Sequence, residues 1–168
     1  MIARMTSLLL ATVLFCASAA AQGKFAGTHK NVLGKKYTDE KSIPWLKGYT
    51  WRQGDLITDA NDGRPQFLTI YFKGKDALVL YTAHVDGPAE LYVVIDAIEI
   101  KNIATDWDIR TAGCSEGSTQ GQIIIAIVKA GNKKTTTIVQ KAWRCNRDKL
   151  RIEAIDAKNI HCVVEDGD

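Results

Sequence analysis

An all-β fold, either a single antiparallel sandwich or an open barrel of about eight strands, is predicted for this chain. Two observations lead to this prediction. Short runs rich in β-branched and aromatic residues recur along the 168 residues, and Gly, Asn and Asp separate them at the spacing of turns. In addition, no apolar pattern of helical period extends beyond a turn or two after residue 21.

The first 21 residues are typical of a secretory signal peptide. Arg4 provides a short basic region, residues 8–15 form an apolar core too short to span a bilayer, and Ala19, Ala20 and Ala21 suit signal peptidase. Cys16 does not favour a lipoprotein, because Phe15 stands where a small residue is needed. We expect cleavage after Ala21, a periplasmic location, no membrane span and a single β domain over residues 22–168.

The predicted strands follow one another without an internal repeat or a linker. A short helix is possible in DEKSIPWLKG, where Pro44 limits its length. The segments DANDG, KGKD, DGPA, AGNKK, NRDK and DAKN are predicted turns. These turns, and the loop before QIIIAIVK, separate nine predicted strands. The strands are GYTWRQGDLIT, QFLTIYF, ALVLYTAHV, ELYVVIDAIEIK, WDIRT, QIIIAIVK, TTTIVQKAWRC, LRIEAI and IHCVVE.

The sequence offers little that indicates catalysis or metal binding. It has no H-E-x-x-H, G-x-x-x-x-G-K-[ST] or C-x-x-C motif. His84 and Asp86 are half of an acid–base pair, but no nucleophile accompanies them. TDANDG has the composition of a calcium loop without its ligand spacing, so Asp62-Gly63 is better explained as a hairpin turn. We therefore expect no catalytic residues, no metal and no cofactor.

The formal net charge of +3 conceals charged segments of opposite sign. Residues 22–58 and 129–151 are basic, whereas residues 76–116 are acidic. Such a distribution can steer a charged partner, although solvated strand faces explain each segment more simply. Nucleic-acid binding is disfavoured, because Trp143 is the only aromatic residue near the second basic segment and the whole chain is nearly neutral.

Three cysteines, Cys114, Cys145 and Cys162, remain after the expected cleavage. An exported chain with three cysteines is expected to form one disulfide and keep one thiol. Cys145 ends a strand one hairpin away from Cys114, which makes that pair geometrically easy. A Cys114–Cys162 bond would instead fasten the C-terminus to the sheet and close a loop of about fifty residues, a size that gives a large entropic stabilisation. The spacing alone leaves the pairing open.

The order of Cys114, the IIIAIV strand, Ala142-Trp143-Arg144 and Cys162 resembles a pattern in small periplasmic proteins of Gram-negative bacteria. In that pattern a cysteine precedes an IVAIV-like strand, an AWR strand follows, and a second cysteine lies near the C-terminus. The resemblance covers about the last third of the chain and implies no established activity. It implies a Cys114–Cys162 disulfide. Cys145 departs from the pattern, and we expect it to be a buried thiol.

These observations favour a binding protein over an enzyme, namely a periplasmic inhibitor or immunity-type protein that blocks another protein such as a basic cell-wall hydrolase. Small residues in CSEGSTQG would let the backbone enter a narrow cleft, while Cys114 and the strand from Ile123 hold its two ends. Glu116 would favour a basic partner, although a plain surface turn also explains the segment. The candidate contact residues are Ser115, Glu116, Gly117, Ser118 and Thr119.

Two alternatives remain open. A small-ligand-binding β-barrel is favoured if aromatic residues line a common cavity, the candidates being Trp45, Trp51, Tyr71 and Tyr81. A hydrolytic enzyme would depend on His84, Asp86 or the hydroxyls of Ser115 and Ser118. The sequence gives no indication of the oligomeric state.

Overall fold

The computed structural model describes residues 32–57, 65–87, 90–117, 123–130, 135–136 and 138–163. These residues form antiparallel β-sheets without a helix as long as seven residues, which confirms the predicted all-β class and the sandwich form. The helical residues among them belong to 3₁₀ turns at Glu40–Ser42, Pro44–Leu46 and Ala157–Asn159. The first two lie in DEKSIPWLKG, and Pro44 begins the second of them.

Three sheets contain twelve described strands. The first sheet has the order β1-β5-β4-β3-β2, with β1 at Lys36–Tyr37, β2 at Thr50–Ile57, β3 at Gln66–Lys73, β4 at Asp76–Val85 and β5 at Leu91–Ile100. The second has the order β11-β10-β8-β6, with β6 at Trp107–Arg110, β8 at Ile124–Lys129, β10 at Val139–Asn146 and β11 at Arg151–Ile155. The third has the order β7-β12-β9, with β7 at Cys114–Glu116, β9 at Thr135–Thr136 and β12 at Ile160–Val163.

The main core lies between the first and second sheets. Alternate residues of β3 and β4 point into it, as expected for strands with one face toward a partner sheet. Tyr81 is the largest fully buried side chain in this core. Ile125 and Ile127 of β8 belong to the same core and come from the second sheet. The two sheets therefore form the sandwich, and the remaining layers pack on its outer faces.

Strand β8 is buried on both faces, which explains the unbroken apolar run from Ile123. Ile125 and Ile127 face the main core, while Ile124, Ala126 and Val128 face the third sheet. The third sheet covers them with Ile160 and Cys162 of β12. A strand between two apolar layers has no polar face, so its sequence loses the alternation that a half-exposed strand shows.

The outer face of the first sheet is covered by the segment that precedes β2. Val32, Ile43 and Leu46 are buried against Leu78 and Leu80 of β4. Tyr37, Trp45 and Tyr49 pack around this second apolar cluster. Residues 32–49 thus cover this face of the sheet. They contain little regular secondary structure but many apolar side chains.

Two carboxylates, one buried and one partly buried, connect the first two sheets on opposite sides of the sandwich. On one side Asp96 of β5, which is 4% exposed, accepts hydrogen bonds from the backbone N–H of Ala97 at 2.8 Å and of Ile152 in β11 at 2.6 Å. On the other side Asp55 of β2 accepts a hydrogen bond from the hydroxyl of Thr111, just after β6. Gln53 donates to both Asp55 and Thr111.

A β-bulge places Asp96 where it can reach the second sheet. Tyr81 pairs with Asp96, but the next residue, Thr82, pairs with Val94, so Ile95 is the extra residue in β5. Ile95 packs against the main core, and Asp96 turns toward β11. Bulges commonly redirect a side chain in this way. The N–H of Ile152 lies on β11, at the edge of the second sheet, so the carboxylate also satisfies a donor that the sheet itself does not pair.

Replacing Asp96 by Asn should lower the free energy of unfolding by about 1–3 kcal/mol, because an amide offers only one acceptor atom to two buried N–H donors. Urea denaturation of the two proteins measures the difference. Asp106→Asn is the matched control, since Asp106 is exposed and its replacement should change stability by less than about 0.5 kcal/mol. Equal stability of Asp96→Asn and the wild type would show that the Asp96 bridge between the sheets contributes nothing.

Candidate functional site

The candidate contact segment begins as a strand. Cys114, Ser115 and Glu116 form β7, which pairs with β12 through Cys114↔Cys162, Ser115↔His161 and Glu116↔Ile160. The sequence predicted a loop here, because CSE has neither β-branched nor aromatic residues. The pairing with β12, a contact made over more than forty residues of chain, overrides this weak local preference.

A disulfide joins Cys114 and Cys162, directly opposite each other in the β7–β12 pair. This confirms the pairing implied by the resemblance and excludes the Cys114–Cys145 pair. Cys162 is fully buried and Cys114 is 9% exposed, so the bond lies inside the apolar layer between the second and third sheets. The bond holds the base of the contact segment to the last strand of the chain.

Gly113 permits the close approach of β12 that this arrangement needs. Its φ of +71° lies in the left-handed region, and a Cβ at this position would come within 2.9 Å of the carbonyl oxygen of Val163. The carbonyl of Gly113 also accepts a 2.8 Å hydrogen bond from the N–H of Val163. The role of Gly113 was not predictable from the sequence, because the strand that follows it was predicted as a loop.

Glu116 is already engaged within the protein. Its carboxylate lies 3.4 Å from a guanidinium nitrogen of Arg144, and both side chains are about one-third exposed. Arg144 also lies 3.7 Å from the carboxylate of Glu153. A partly exposed pair of this kind is weak.

Gly117 turns the chain away from β7. It is exposed, has a φ of +58°, and donates its N–H to the carbonyl of Asn159 at 3.1 Å. Ser118 and Thr119 lie outside the described residues. The structure thus fixes the first three predicted contact residues on a strand and a turn, with the fourth and fifth following directly in the chain.

Cys145 is the free cysteine among the described residues, and it is 5% exposed. It faces the main core, not the layer that holds the disulfide. Burial, together with the negative charge of Asp96, raises the pKa of its thiol to about 12. A thiol with so little thiolate at neutral pH is a poor nucleophile, which agrees with a packing role.

The residues named for the enzyme and barrel alternatives are dispersed. His84 lies on β4 with its ring edge-on to Tyr92, their centroids 5.7 Å apart, and Asp86 follows the end of the strand. Tyr81 lies in the main core, whereas Tyr71 lies in the cluster on the opposite face of the first sheet. Trp45 packs against that same cluster, and Trp51 is 57% exposed. The four aromatic residues therefore do not line a common cavity.

Residues 115–117 line neither of two cavities found on the described surface. A groove of ≈490 Å³ runs along β10 and β11 beside the turn at Ala157–Asn159. A smaller cavity of ≈180 Å³ lies on the outer face of the first sheet. The described residues do not bring three His, Cys, Asp or Glu side chains together as metal ligands, and TDANDG lies outside them. Within the same ranges, no helix has the length and apolarity that crossing a membrane requires.

Comparison of the chain with protein-family models, curated proteins and solved structures gives no match. A functional proposal for this protein therefore rests on its own residues and their geometry.

Replacing both Cys114 and Cys162 by Ala should lower the free energy of unfolding by about 4 kcal/mol, as the chain-entropy model gives for a loop of this length. The cysteines are 48 positions apart in the sequence. Denaturation in urea without reductant measures the loss, with Cys145→Ala as the control that keeps the disulfide. A loss no larger than that of Cys145→Ala would mean that the crosslink does not stabilise the fold.

The Cys145 thiol should resist modification in the native protein. With its pKa raised to about 12, almost none of it is thiolate at pH 8, and the core excludes the reagent. Protein lacking the first 21 residues should therefore release colour from Ellman's reagent only in denaturant, and Cys145→Ser should release none in either condition. Rapid reaction of the native thiol would contradict its placement in the core.

Proposed function

We propose that this chain is an exported, periplasmic binding protein that inhibits or shields a partner protein, such as a basic cell-wall hydrolase, through residues 115–119. The observation that carries the proposal is the attachment of β7 to β12 by both a disulfide and a strand ladder. A contact segment with a rigid base loses little conformational entropy when it binds, which favours affinity. Export is supported by the signal-like N-terminus and by the disulfide, which persists in oxidising compartments.

The chemistry of the segment suits close contact with a protein surface. Gly117 is exposed at the turn where the chain leaves β7, and Ser118 and Thr119 add only small hydroxyl side chains beyond it. Small residues let a backbone approach a cleft closely, and their hydroxyls can donate and accept hydrogen bonds there. A buried strand, β8, begins at Ile124 after the segment, so the second end is also attached to the core.

The charge of the segment favours a basic partner. Glu116 supplies the carboxylate, and its weak pair with Arg144 leaves it about one-third exposed. A lysine or arginine of the partner can replace Arg144 without leaving a buried charge unpaired, because Arg144 keeps Glu153 as a second partner. This exchange gives the interface a preference for cations at small cost to the fold.

The test begins with affinity capture of periplasmic proteins by the tagged protein and measurement of lysis inhibition against a panel of basic cell-wall hydrolases. The decisive variant is Ser118→Arg/Thr119→Arg with Cys114 in place, because two large cations in the contact segment would clash with a basic cleft. It should weaken both capture and inhibition at least about tenfold, as expected when a central contact is lost.

The matched control is Ala104→Arg/Thr105→Arg, which places the same two side chains on an exposed turn before β6. It should bind and inhibit as the wild type does. Equal binding by the wild type and the 118/119 variant, with both folded, would exclude this segment as the contact site. Absence of any captured protein or inhibited hydrolase would overturn the proposed function itself.

A further inference from the structure

A pocket with aromatic walls lies on the outer face of the first sheet, beside strand β1. Its volume is ≈180 Å³, below the roughly 300–1,000 Å³ of cavities that hold drug-sized ligands. A small group, not an extended molecule, is therefore the occupant that fits. The residues that line this aromatic pocket are Tyr37, Thr38, Glu40, Phe67, Thr69, Thr82 and Tyr92.

Three rings form the aromatic part of the lining, and the sheet fixes their positions. Tyr37 and Tyr92 are opposite each other in the β1–β5 pair and stack with centroids 5.6 Å apart. Phe67 of β3 meets Tyr92 edge-on at 5.5 Å. His84 lies on β4, directly opposite Tyr92 of β5, and its ring also meets the Tyr92 ring edge-on. The ring positions are thus set before any ligand binds.

The polar part of the lining carries negative charge. Glu40 comes from the turn at Glu40–Ser42, and none of the described residues that line the pocket is basic. The hydroxyl-bearing residues Thr69 and Thr82 are 7% and 1% exposed. The cavity therefore combines one carboxylate, buried hydroxyls and aromatic rings.

Glu40 lies near enough to two neighbouring tyrosines to raise the pKa of each. Tyr71 lies on β3, on the same face as Thr69. Burial raises the pKa of Tyr71, and the nearby Glu40 raises it further. The hydroxyl of Tyr71 is buried. Burial raises the pKa of Tyr37 as well, with a further contribution from Glu40. A negative charge near rings and unionised hydroxyls attracts a cation.

We propose that the aromatic pocket binds a small organic ammonium group, with quaternary ammonium as the preferred class. Aromatic faces attract cations through their quadrupole, and the attraction strengthens when the cation is easily desolvated. A quaternary ammonium is more weakly hydrated than a metal ion or a primary ammonium, and its methyl groups also pack on rings. Glu40 supplies the counter-charge in the lining. This site is independent of residues 115–119 and adds a ligand to the proposed function.

Choline is the probe, and 3,3-dimethylbutan-1-ol is its neutral control of nearly the same shape. Titrations followed by amide and aromatic NMR shifts should show saturable binding of choline, with shifts centred on Tyr37, Phe67 and Tyr92. Sodium chloride at equal ionic strength should leave these signals in place. The neutral alcohol should bind at least about fivefold more weakly, since it lacks the cation–π term.

Glu40→Gln and Tyr92→Leu should each weaken choline binding at least about fivefold. Glu116→Gln, in the proposed contact segment, is the matched control and should leave choline binding unchanged. Because Tyr92→Leu removes a half-buried ring, its thermal unfolding is compared with that of the wild type, and Glu40→Gln decides the result if the fold is weakened. Choline binding that is absent, equal to that of the neutral alcohol, or unaffected by Glu40→Gln would overturn the proposal.

Discussion

The constraint on which this fold depends is that strand β8 must be covered on both faces. Its residues alternate between two apolar layers, with Ile125 and Ile127 toward the main core and Ile124 toward the third sheet. A two-layer sandwich would expose half of this strand to water, at a cost of about 1.5–3 kcal/mol for each large side chain. The short third sheet is therefore a requirement of the core, and its strand β7 is where the contact segment begins.

Apolar layers by themselves allow sheets to slide, and polar groups fix their register here. Asp96 and Asp55 connect the first and second sheets on opposite sides of the sandwich, and the Cys114–Cys162 bond fixes two strands of the third. Asp96 satisfies buried backbone donors, and Asp55 accepts from the Thr111 hydroxyl, so each bridge is specific to one alignment of the strands. The rigidity that a binding segment needs thus arises from the same interactions that hold the layers together.

The sequence predicted most of the strands because their turns carry Gly, Asn and Asp and their interiors carry β-branched residues. The all-β class, the hairpin of β3 and β4, and the short helical turns near Pro44 were all predictable from local chemistry. Strand β7 was not predictable in this way, because its residues CSE form a strand by pairing with β12, which is distant in the sequence. Asp96 was also missed, since the bulge that buries it is defined by register with β4 and not by any local pattern. The cysteine spacing left the disulfide open, and only the resemblance favoured the observed pair.

The two candidate sites lie on opposite outer layers of the molecule, and this separation has a functional consequence. Residues 115–117 belong to the third sheet and its turn, whereas Tyr37 and Glu40 belong to the cover of the first sheet. A protein held at β7 and an ammonium group held in the aromatic pocket would therefore not compete for space. Any coupling between them would have to pass through the closely packed main core and the Asp96 bridge. Since such a core resists small displacements, the two sites are expected to bind independently.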